Sequence, residues 1–194
     1  MNQNKIILDL CSGTGAWSRP YKEAGYDVRL ITLPYYPLFD KAPGDVRVFE
    51  PPLNVYGILA APPCEEFSFA KVNPKSPRNP QKGLECVHAC LDIIWECQLC
   101  GGLKFWAMEN PIGYLRRFIG IAPYHFEQWE FGGNLCKRTE IWGYFNFPKK
   151  THRKNPDAEL PNLQTVQKIN GYDRKTTRSI TPSGFARAFY EVNR

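Results

Sequence analysis

The sequence lacks any apolar run that approaches the length of a membrane span, and its polar start, Met1 to Asn4, does not have the pattern of a signal peptide. These absences predict no membrane partner and a cytoplasmic location. The seven cysteines are an odd number in a chain without a secretion signal, which predicts reduced thiols instead of a disulfide framework. No internal repeat is visible.

The bulk composition is that of a globular domain. At 194 residues the chain is long enough for one domain with its own core. Hydrophobic residues make up 43% and aromatic residues 14%, which excludes a disordered chain. We divide the sequence into a core over residues 1–148, a short basic segment over 149–178 and a C-terminal helix within 179–194.

The basic segment carries most of the net charge of +6, because it holds eight Lys or Arg residues against three acids. A localised basic strip favours a polyanionic partner, for which a nucleic acid is the natural candidate. The candidate contacts at its start are Lys149, Lys150, Arg153 and Lys154. A solvated loop that is kept soluble by its charge would have the same composition.

Strand patterns alternate with helix patterns along most of the chain. Strands are expected at 5–10, 26–33, 45–48, 55–60 and 103–108, with two aromatic strands at 124–131 and 140–147. Helices are expected at 16–24, at 81–100, and from the N-cap Thr181 and Pro182 to about Val192. This alternation predicts an α/β fold with a mostly parallel, doubly wound sheet.

Three of the predicted strands end in residues suited to a site. The first is followed by Gly13 and Gly15, which allow a ligand to approach the backbone closely. The run Ala61–Cys64 follows the strand at 55–60, and its two prolines make a stiff loop that aims one thiol. Glu109 and Asn110 follow the strand at 103–108. In an open α/β sheet such ends meet at one edge, where ligands bind.

These motifs, in this order, resemble those of the DNA cytosine-5 methyltransferases. Residues 9–15 resemble the family's cofactor loop, and residues 63–68 its Pro-Cys nucleophile loop. Residues 109–110 match its Glu-Asn pair, although a proline follows. Residues 44–46 resemble the short motif whose acid contacts the cofactor adenine, and residues 137–139 resemble the arginine motif, of which only the second arginine is matched. The resemblance covers roughly residues 5–147.

The resemblance implies a Rossmann-like methyltransferase fold with an antiparallel strand near the sheet edge and S-adenosylmethionine as cofactor. The implied substrate is DNA, either a duplex with a flipped-out cytosine or a single strand. Its implied catalytic residues are Cys64 as nucleophile, Glu109 as acid and Arg138 as the contact to the base. Ser68 and Asn110 are further substrate contacts. The implied cofactor contacts are Asp9, Cys11, Ser12, Gly13, Thr14, Gly15, Trp17, Asp45 and Pro63. An aromatic residue such as Trp17, in a first helical turn, is more often part of a core.

The chemistry explains why these residue types are needed. Cytosine C5 is a poor nucleophile until a thiolate adds to C6, and this addition places negative charge towards N3, which a carboxylic acid can neutralise. The other cysteines do not indicate a metal site. Cys86, Cys90, Cys97 and Cys100 lie on one predicted helix, which cannot bring four zinc ligands together, so we interpret them as core thiols.

Two features of the family pattern are missing. The strand at 26–33 ends without the acid that binds the cofactor ribose in this family. Either Asp40, Asp45 or Thr32 replaces that acid, or the cofactor is altered or loosely held. The basic segment is too short for a full target-recognition domain, which predicts low sequence specificity or a protein partner. Two alternatives remain. One is an enzyme with the same chemistry that acts on RNA, on a free nucleotide or with a modified cofactor; the other is a non-catalytic relative that binds nucleic acid.

Overall fold

The computed structural model describes residues 2–33, 44–69, 77–152 and 163–194. Six strands form one sheet in the order β2-β1-β3-β4-β6-β5. The strands are β1 Ile6–Leu10, β2 Asp27–Ile31, β3 Val55–Ala60, β4 Phe105–Pro111, β5 Tyr124–Glu127 and β6 Arg138–Tyr144. Strands β1 to β4 are mutually parallel, and β6 is antiparallel to both of its neighbours, β4 and β5. The predicted α/β class with a mostly parallel sheet is confirmed.

The helices are α1 Arg19–Glu23, α2 Pro80–Leu99, α3 Arg116–Ile119, α4 Leu163–Asn170, α5 Arg174–Ser179 and α6 Ser183–Val192. Helix α2 begins with a proline, after the side chain of Asn79 accepts a hydrogen bond from the backbone N–H of Lys82. This cap and the proline satisfy or remove N–H groups that a helix start otherwise leaves unpaired. The predicted long helix therefore forms within one residue of its expected bounds.

Side-chain alternation along the strands divides the core into two clusters. Leu8, Leu10 and Ile58 belong to the cluster that includes the buried residues of α2. Ile7 and Leu59 belong to the second cluster, which includes α6. Because successive residues of a strand point to opposite faces, one sheet packs against helices on both sides.

The second cluster is mainly aromatic. Phe185 of α6 stacks on Phe126 of β5 with ring centroids 4.1 Å apart, and Phe189 meets Phe105 of β4 at 5.8 Å. Both phenylalanines of α6 are fully buried. Burial of a side chain of this size stabilises a fold by about 1.5–3 kcal/mol, so these two residues attach the C-terminal helix firmly to the sheet.

The prediction of a strand at 45–48 is wrong. Val46–Val48 forms a short 3₁₀ helix, and the Asp45 side chain caps it by accepting a hydrogen bond from the Arg47 backbone N–H at 3.0 Å. An aspartate that bonds to the backbone two residues ahead competes with strand pairing. The same sequence pattern therefore forms a capped turn here.

Other boundaries differ from the expectation for similar local reasons. Strand β5 stops at Glu127, because Glu127 and Glu130 form a capping box around the 3₁₀ helix Gln128–Phe131. Helix α1 begins at Arg19, not at 16, since residues 14–18 continue the glycine turn. Helix α6 begins one residue late, with Pro182 and not Thr181 as its N-cap.

The basic segment contains α4 and α5 in its described part. Asp173 caps α5 by accepting a hydrogen bond from the Thr176 backbone N–H. Within the described ranges, none of the helices is both long and apolar enough to cross a membrane.

Candidate active site

The topology brings the three strand ends singled out by the sequence to one edge of the sheet. Strands β1, β3 and β4 are adjacent and parallel, so the turn after Leu10, the loop after Ala60 and the end of β4 emerge side by side. A backbone hydrogen bond of 2.9 Å from Ala61 N–H to the Leu10 carbonyl links the first two of them. This is the edge at which an open α/β sheet binds ligands.

The turn after β1 has an unusual backbone. Cys11, Gly13 and Gly15 have φ values of +57°, +53° and +66°. Cys11 adopts the left-handed conformation although it is not a glycine, which costs energy and marks a loop whose shape is imposed by its surroundings. At Gly15 a Cβ would meet Leu30 at 3.1 Å, so the turn also packs closely on β2. The Ser12 hydroxyl is buried and has no hydrogen-bond partner among the described residues.

Asp9 lies beneath this turn. Its carboxylate accepts a hydrogen bond of 2.5 Å from the Ser18 hydroxyl, which also contacts the Gly15 carbonyl at 3.3 Å. Because the residue is almost fully buried, desolvation raises the pKa of the Asp9 carboxyl from 3.8 to about 7, against the lowering effect of the Ser18 hydrogen bonds. Asp9 therefore holds the turn against the start of α1 from within the fold.

Trp17 belongs to the aromatic core. It is 3% exposed, and its ring meets those of Phe189 at 5.4 Å and Phe185 at 5.8 Å. These contacts make Trp17 a core residue that packs α6 against the sheet. A core role is the more common one for an aromatic residue in a first helical turn.

The nucleophile loop is a compact turn around Cys64. The Cys64 carbonyl accepts hydrogen bonds from the backbone N–H groups of Phe67 and Ser68 at 3.0 and 2.9 Å. The Asn110 amide, fully buried at the end of β4, donates to the Pro62 carbonyl at 2.9 Å. Asn110 thus positions the loop that carries the thiol, and its own carbonyl oxygen is buried and unpaired among the described residues. Pro63, which lies between Pro62 and Cys64 in the loop, is exposed.

The half-buried Cys64 thiol lies in the field of two opposite charges. Burial raises the pKa of Cys64, the positive charge of Lys137 lowers it, and the negative charge of Glu109 raises it further. Lys137 and Glu109 form an ion pair of 3.2 Å, and their side chains are only 13% and 17% exposed. The thiol, the carboxylate and the ammonium group therefore form one cluster.

Arg138, which the resemblance implies as the contact to the base, lies outside this cluster. Arg138 is paired with Glu127 at 3.0 Å on the outer strand pair, and its side chain is 71% exposed. Arg138, Glu140 and Trp142 share one face of β6, whereas Thr139 and Ile141 share the other. Glu109 is paired in register with Ile141, so the residue that reaches it is Lys137, not Arg138. Lys137 belongs to the arginine-like motif at 137–139, but the sequence alone predicted no role for it.

Cys11 of the glycine turn contacts helix α2, and Asp45 is linked to the same helix through Arg47, which also pairs with Glu85. Asp45 is bound by the guanidinium group of Arg47, which lowers the pKa of the Asp45 carboxyl. Cys11 makes thiol contacts with Cys86 and Cys90, and burial contributes to raising its pKa. In the part of the chain that the structure describes, no group of His, Cys, Asp or Glu side chains is arranged to hold a metal ion.

The residues after β2 occupy the position where the family has an acid for the cofactor ribose. Thr32, which follows β2, is 7% exposed, and Leu33 is 47% exposed. Of the other two proposed substitutes, Asp45 caps the 3₁₀ helix Val46–Val48, and Asp40 lies outside the described residues. Thr32 is the candidate that directly follows the strand adjacent to the glycine turn.

The predicted polyanion contacts lie apart from this cluster in the chain. Lys149 and Lys150 are exposed, and Lys150 pairs with Glu130 at 2.9 Å. Arg153 and Lys154 lie outside the described residues.

Comparison of the sequence with models of known protein families and with curated proteins finds no match. The chemistry of the cluster itself is informative. A thiol with an acid and a cation beside it, at the edge of an α/β sheet, suits nucleophilic addition to an electron-poor ring whose developing charge is neutralised by the acid.

Proposed function

We propose that this protein is an S-adenosylmethionine-dependent methyltransferase that methylates C5 of cytosine in DNA. The observation that carries the proposal is the Cys64–Glu109–Lys137 cluster, in which a candidate nucleophile and a candidate acid are held on neighbouring strand ends. A protein that only binds nucleic acid has no need of a thiol in this position.

The fold supports the proposal at the level of architecture. The resemblance implies a Rossmann-like sheet with an antiparallel strand near its edge, and β6 is such a strand, inserted between β4 and the edge strand β5. The glycine turn and the nucleophile loop follow β1 and β3, and the Glu-Asn pair lies near the end of the adjacent strand β4, in the order of the family motifs.

The turn after β1 fits the cofactor in two respects. Its left-handed residues keep side chains away from an approaching ligand, and the buried Ser12 hydroxyl is available to a polar group of that ligand. Residues 11–15 would hold the cofactor, with Asp45 near its adenine and Thr32 near its ribose. When bound, the sulfonium group supplies an electrophilic methyl group.

Cys64 initiates the reaction in this proposal. Its thiolate adds to C6 of the cytosine ring, which makes C5 nucleophilic, and Glu109 stabilises the charge that develops at N3 by sharing a proton. Lys137 stabilises the thiolate and orients the Glu109 carboxylate. Methyl transfer to C5 would leave the cofactor as its neutral thioether, S-adenosylhomocysteine. Loss of the C5 proton to a base would then expel Cys64 as a thiolate and release 5-methylcytosine.

The ring cannot be reached inside a duplex, so the cytosine must be flipped out or already unpaired. The nucleophile loop is suited to an inserted base, because Asn110 fixes Pro62 and two N–H groups fix the Cys64 carbonyl. A loop held in this way needs little rearrangement before attack.

Covalent trapping tests the proposal. We expect the protein with S-adenosylmethionine to form a stable adduct with DNA that contains 5-fluorocytosine, since fluorine cannot leave C5 as a proton does. Cys64→Ser should abolish the adduct, and Cys136→Ser, which changes an exposed cysteine, should retain it. An adduct that survives in Cys64→Ser would exclude Cys64 as the nucleophile.

Transfer of a tritiated methyl group to duplex DNA, single-stranded DNA, RNA and free nucleotides identifies the substrate. Labelling of DNA supports the proposal, whereas labelling confined to RNA or to nucleotides assigns the same chemistry to a different substrate. If no substrate is labelled and calorimetry shows no binding of S-adenosylmethionine, the proposal is wrong.

A further inference from the structure

The loops that carry Cys64 and Glu109 are joined just beyond the candidate active site. Ser68 and Gly113 form an antiparallel bridge, and the Tyr114 N–H donates to the Phe67 carbonyl at 2.9 Å. A Cβ at Gly113 would lie 2.3 Å from the Phe67 carbonyl oxygen, so only glycine allows this approach. Phe69 and Tyr114, one residue past the bridge on each loop, consequently lie side by side.

Four side chains form a rim at this point: Phe69, Arg78, Tyr114 and Arg117. The rings of Phe69 and Tyr114 meet edge to face with centroids 4.9 Å apart. The guanidinium groups of Arg78 and Arg117 lie 5.2 and 5.1 Å from the Tyr114 centroid. Tyr114 therefore holds one aromatic and two cationic side chains in a fixed arrangement.

The four side chains of the rim differ in their exposure and in the partners they already have. Arg78 donates to the carbonyls of Glu66 and Ser68 at 3.1 and 2.9 Å, so it also holds the nucleophile loop in place. Phe69 is 48% exposed. Arg117 is exposed and, among the described residues, has no carboxylate within ion-pair distance. Within the described part of the chain, the rim thus presents the Phe69 ring and a guanidinium group without a paired carboxylate, that of Arg117, to solvent.

We propose that this rim binds a single nucleic-acid strand, with an unpaired base stacked on Phe69 and the adjacent phosphate bound by Arg117. An aromatic face beside an arginine suits this ligand, because every base has a π-face and every nucleotide a phosphate. An apolar partner is disfavoured, since it would bury the charge of Arg117 without a counterion. The inference rests on the proposed function and places the flanking nucleotide of the substrate next to Cys64.

The test is the affinity for a fluorescent single-stranded oligonucleotide of about 12 nucleotides, measured by anisotropy without cofactor and in the Cys64→Ser background. Phe69→Ala should weaken binding roughly tenfold, as expected for the loss of one base–aromatic stack. Phe69→Trp should retain the affinity. The matched control is Trp95→Ala, which truncates an aromatic side chain that is 62% exposed on α2 and should change nothing.

Arg117→Ala should weaken binding and reduce the slope of log affinity against log salt by about 0.7, the value for one contact to a phosphate of a single strand. Arg29→Ala, at a residue already paired with Asp27, is its control. Phe69→Ala should leave the slope unchanged. Circular dichroism establishes that each variant is folded, and Phe69→Leu provides a second variant that keeps an apolar side chain but lacks the π-face.

Unchanged affinity in Phe69→Ala and Phe69→Leu, or an equal loss in Trp95→Ala, would overturn the rim assignment. The same outcome in a protein that still forms the 5-fluorocytosine adduct would leave the proposed function standing. Conversely, binding that depends on Phe69, together with the absence of an adduct when Cys64 is intact, would support the rim and contradict the methyltransferase.

Discussion

The sheet edge around Cys64 and the basic segment at 149–178 are the two regions that the sequence marks for function, and they are built differently. At the edge, charged and polar groups are half-buried and contact one another: Lys137 binds Glu109, and Asn110 binds the Pro62 carbonyl. At the start of the basic segment the lysines are exposed, and Lys150 is engaged by Glu130. Bond-forming chemistry needs fixed groups in a low dielectric, whereas attraction of a polyanion needs only charge at the surface.

The largest expected effect is that of Glu109→Gln. If the edge performs the chemistry, removal of the acid should slow single-turnover methyl transfer by about 10²- to 10⁴-fold, the usual contribution of a general acid. The same change removes a negative charge beside Cys64, so the pKa of the thiol should fall. Slower catalysis with a more acidic thiol is a combination that a merely misfolded variant would not give.

The thiol is followed by mass spectrometry, from the pH dependence of alkylation of the Cys64 peptide by iodoacetamide. Glu23→Gln, at an exposed residue paired with Arg187, is the control for both measurements. A rate close to that of the unmodified protein in Glu109→Gln would remove the acid from the mechanism.

Asp9→Asn tests how much burial of the Asp9 carboxyl beneath the edge lowers the free energy of unfolding. The folded protein holds the Asp9 proton up to a pKa of about 7, whereas the unfolded chain releases it near 3.8. The free energy of unfolding therefore falls as the pH rises from about 4 to about 7, by an amount on the order of 4 kcal/mol. The amide in Asp9→Asn can still accept from Ser18 and should remove this dependence.

Urea unfolding at about pH 5 and about pH 8 measures the difference. Asp9→Asn should be more stable than the original protein at the higher pH. Parallel pH profiles for the two proteins would show that Asp9 does not titrate between these values.

A smaller effect separates Lys137 from Arg138. Lys137→Gln removes the positive charge that lowers the pKa of Cys64, so the pKa of the thiol should rise and the alkylation profile should move to higher pH. Arg138→Gln, one residue along the strand, should leave the profile in place because Arg138 is exposed and bound to Glu127. A shift in Arg138→Gln alone would mean that the strand register differs from the one described.

The smallest effect concerns the basic segment. Neutralising Lys149 and Lys150 together should weaken DNA binding and lower its salt slope by less than about 2, since each phosphate contact contributes roughly 0.7–0.9. Lys149→Gln should contribute more than Lys150→Gln, because Lys150 is already paired with Glu130. Lys104→Gln, at an exposed residue just before β4, is the control. An unchanged slope would mean that these lysines do not contact phosphate.

Much of the fold could be predicted from local patterns. The buried runs of β1 and β3 and the capped start of α2 each depend on short-range preferences, and all three formed as expected. The strand expected at 45–48 could not be recognised as a 3₁₀ helix, since the outcome depends on whether the Asp45 side chain bonds to the backbone or to solvent.

The site was predictable in its residue types and less so in its geometry. Cys64, Glu109 and the glycine turn were found because each lies at or just beyond the end of a predicted strand, and parallel adjacent strands bring their ends to one edge. The positioning role of Asn110 was missed, since its partner is a backbone carbonyl 48 residues earlier in the chain. The rim at Phe69 and Tyr114 carried no motif and depends on the bridge between the two loops.

The sequence by itself determined the order of strands and helices and the supply of a thiol, an acid and neighbouring cations at strand ends. Only the tertiary structure decided which cation meets the thiol. Lys137 and Arg138 are adjacent in the chain, yet with Glu109 paired to Ile141 in register it is Lys137 that binds Glu109, whereas Arg138 binds Glu127. Register is a property of two strands paired in space, so neither strand's sequence contains it alone.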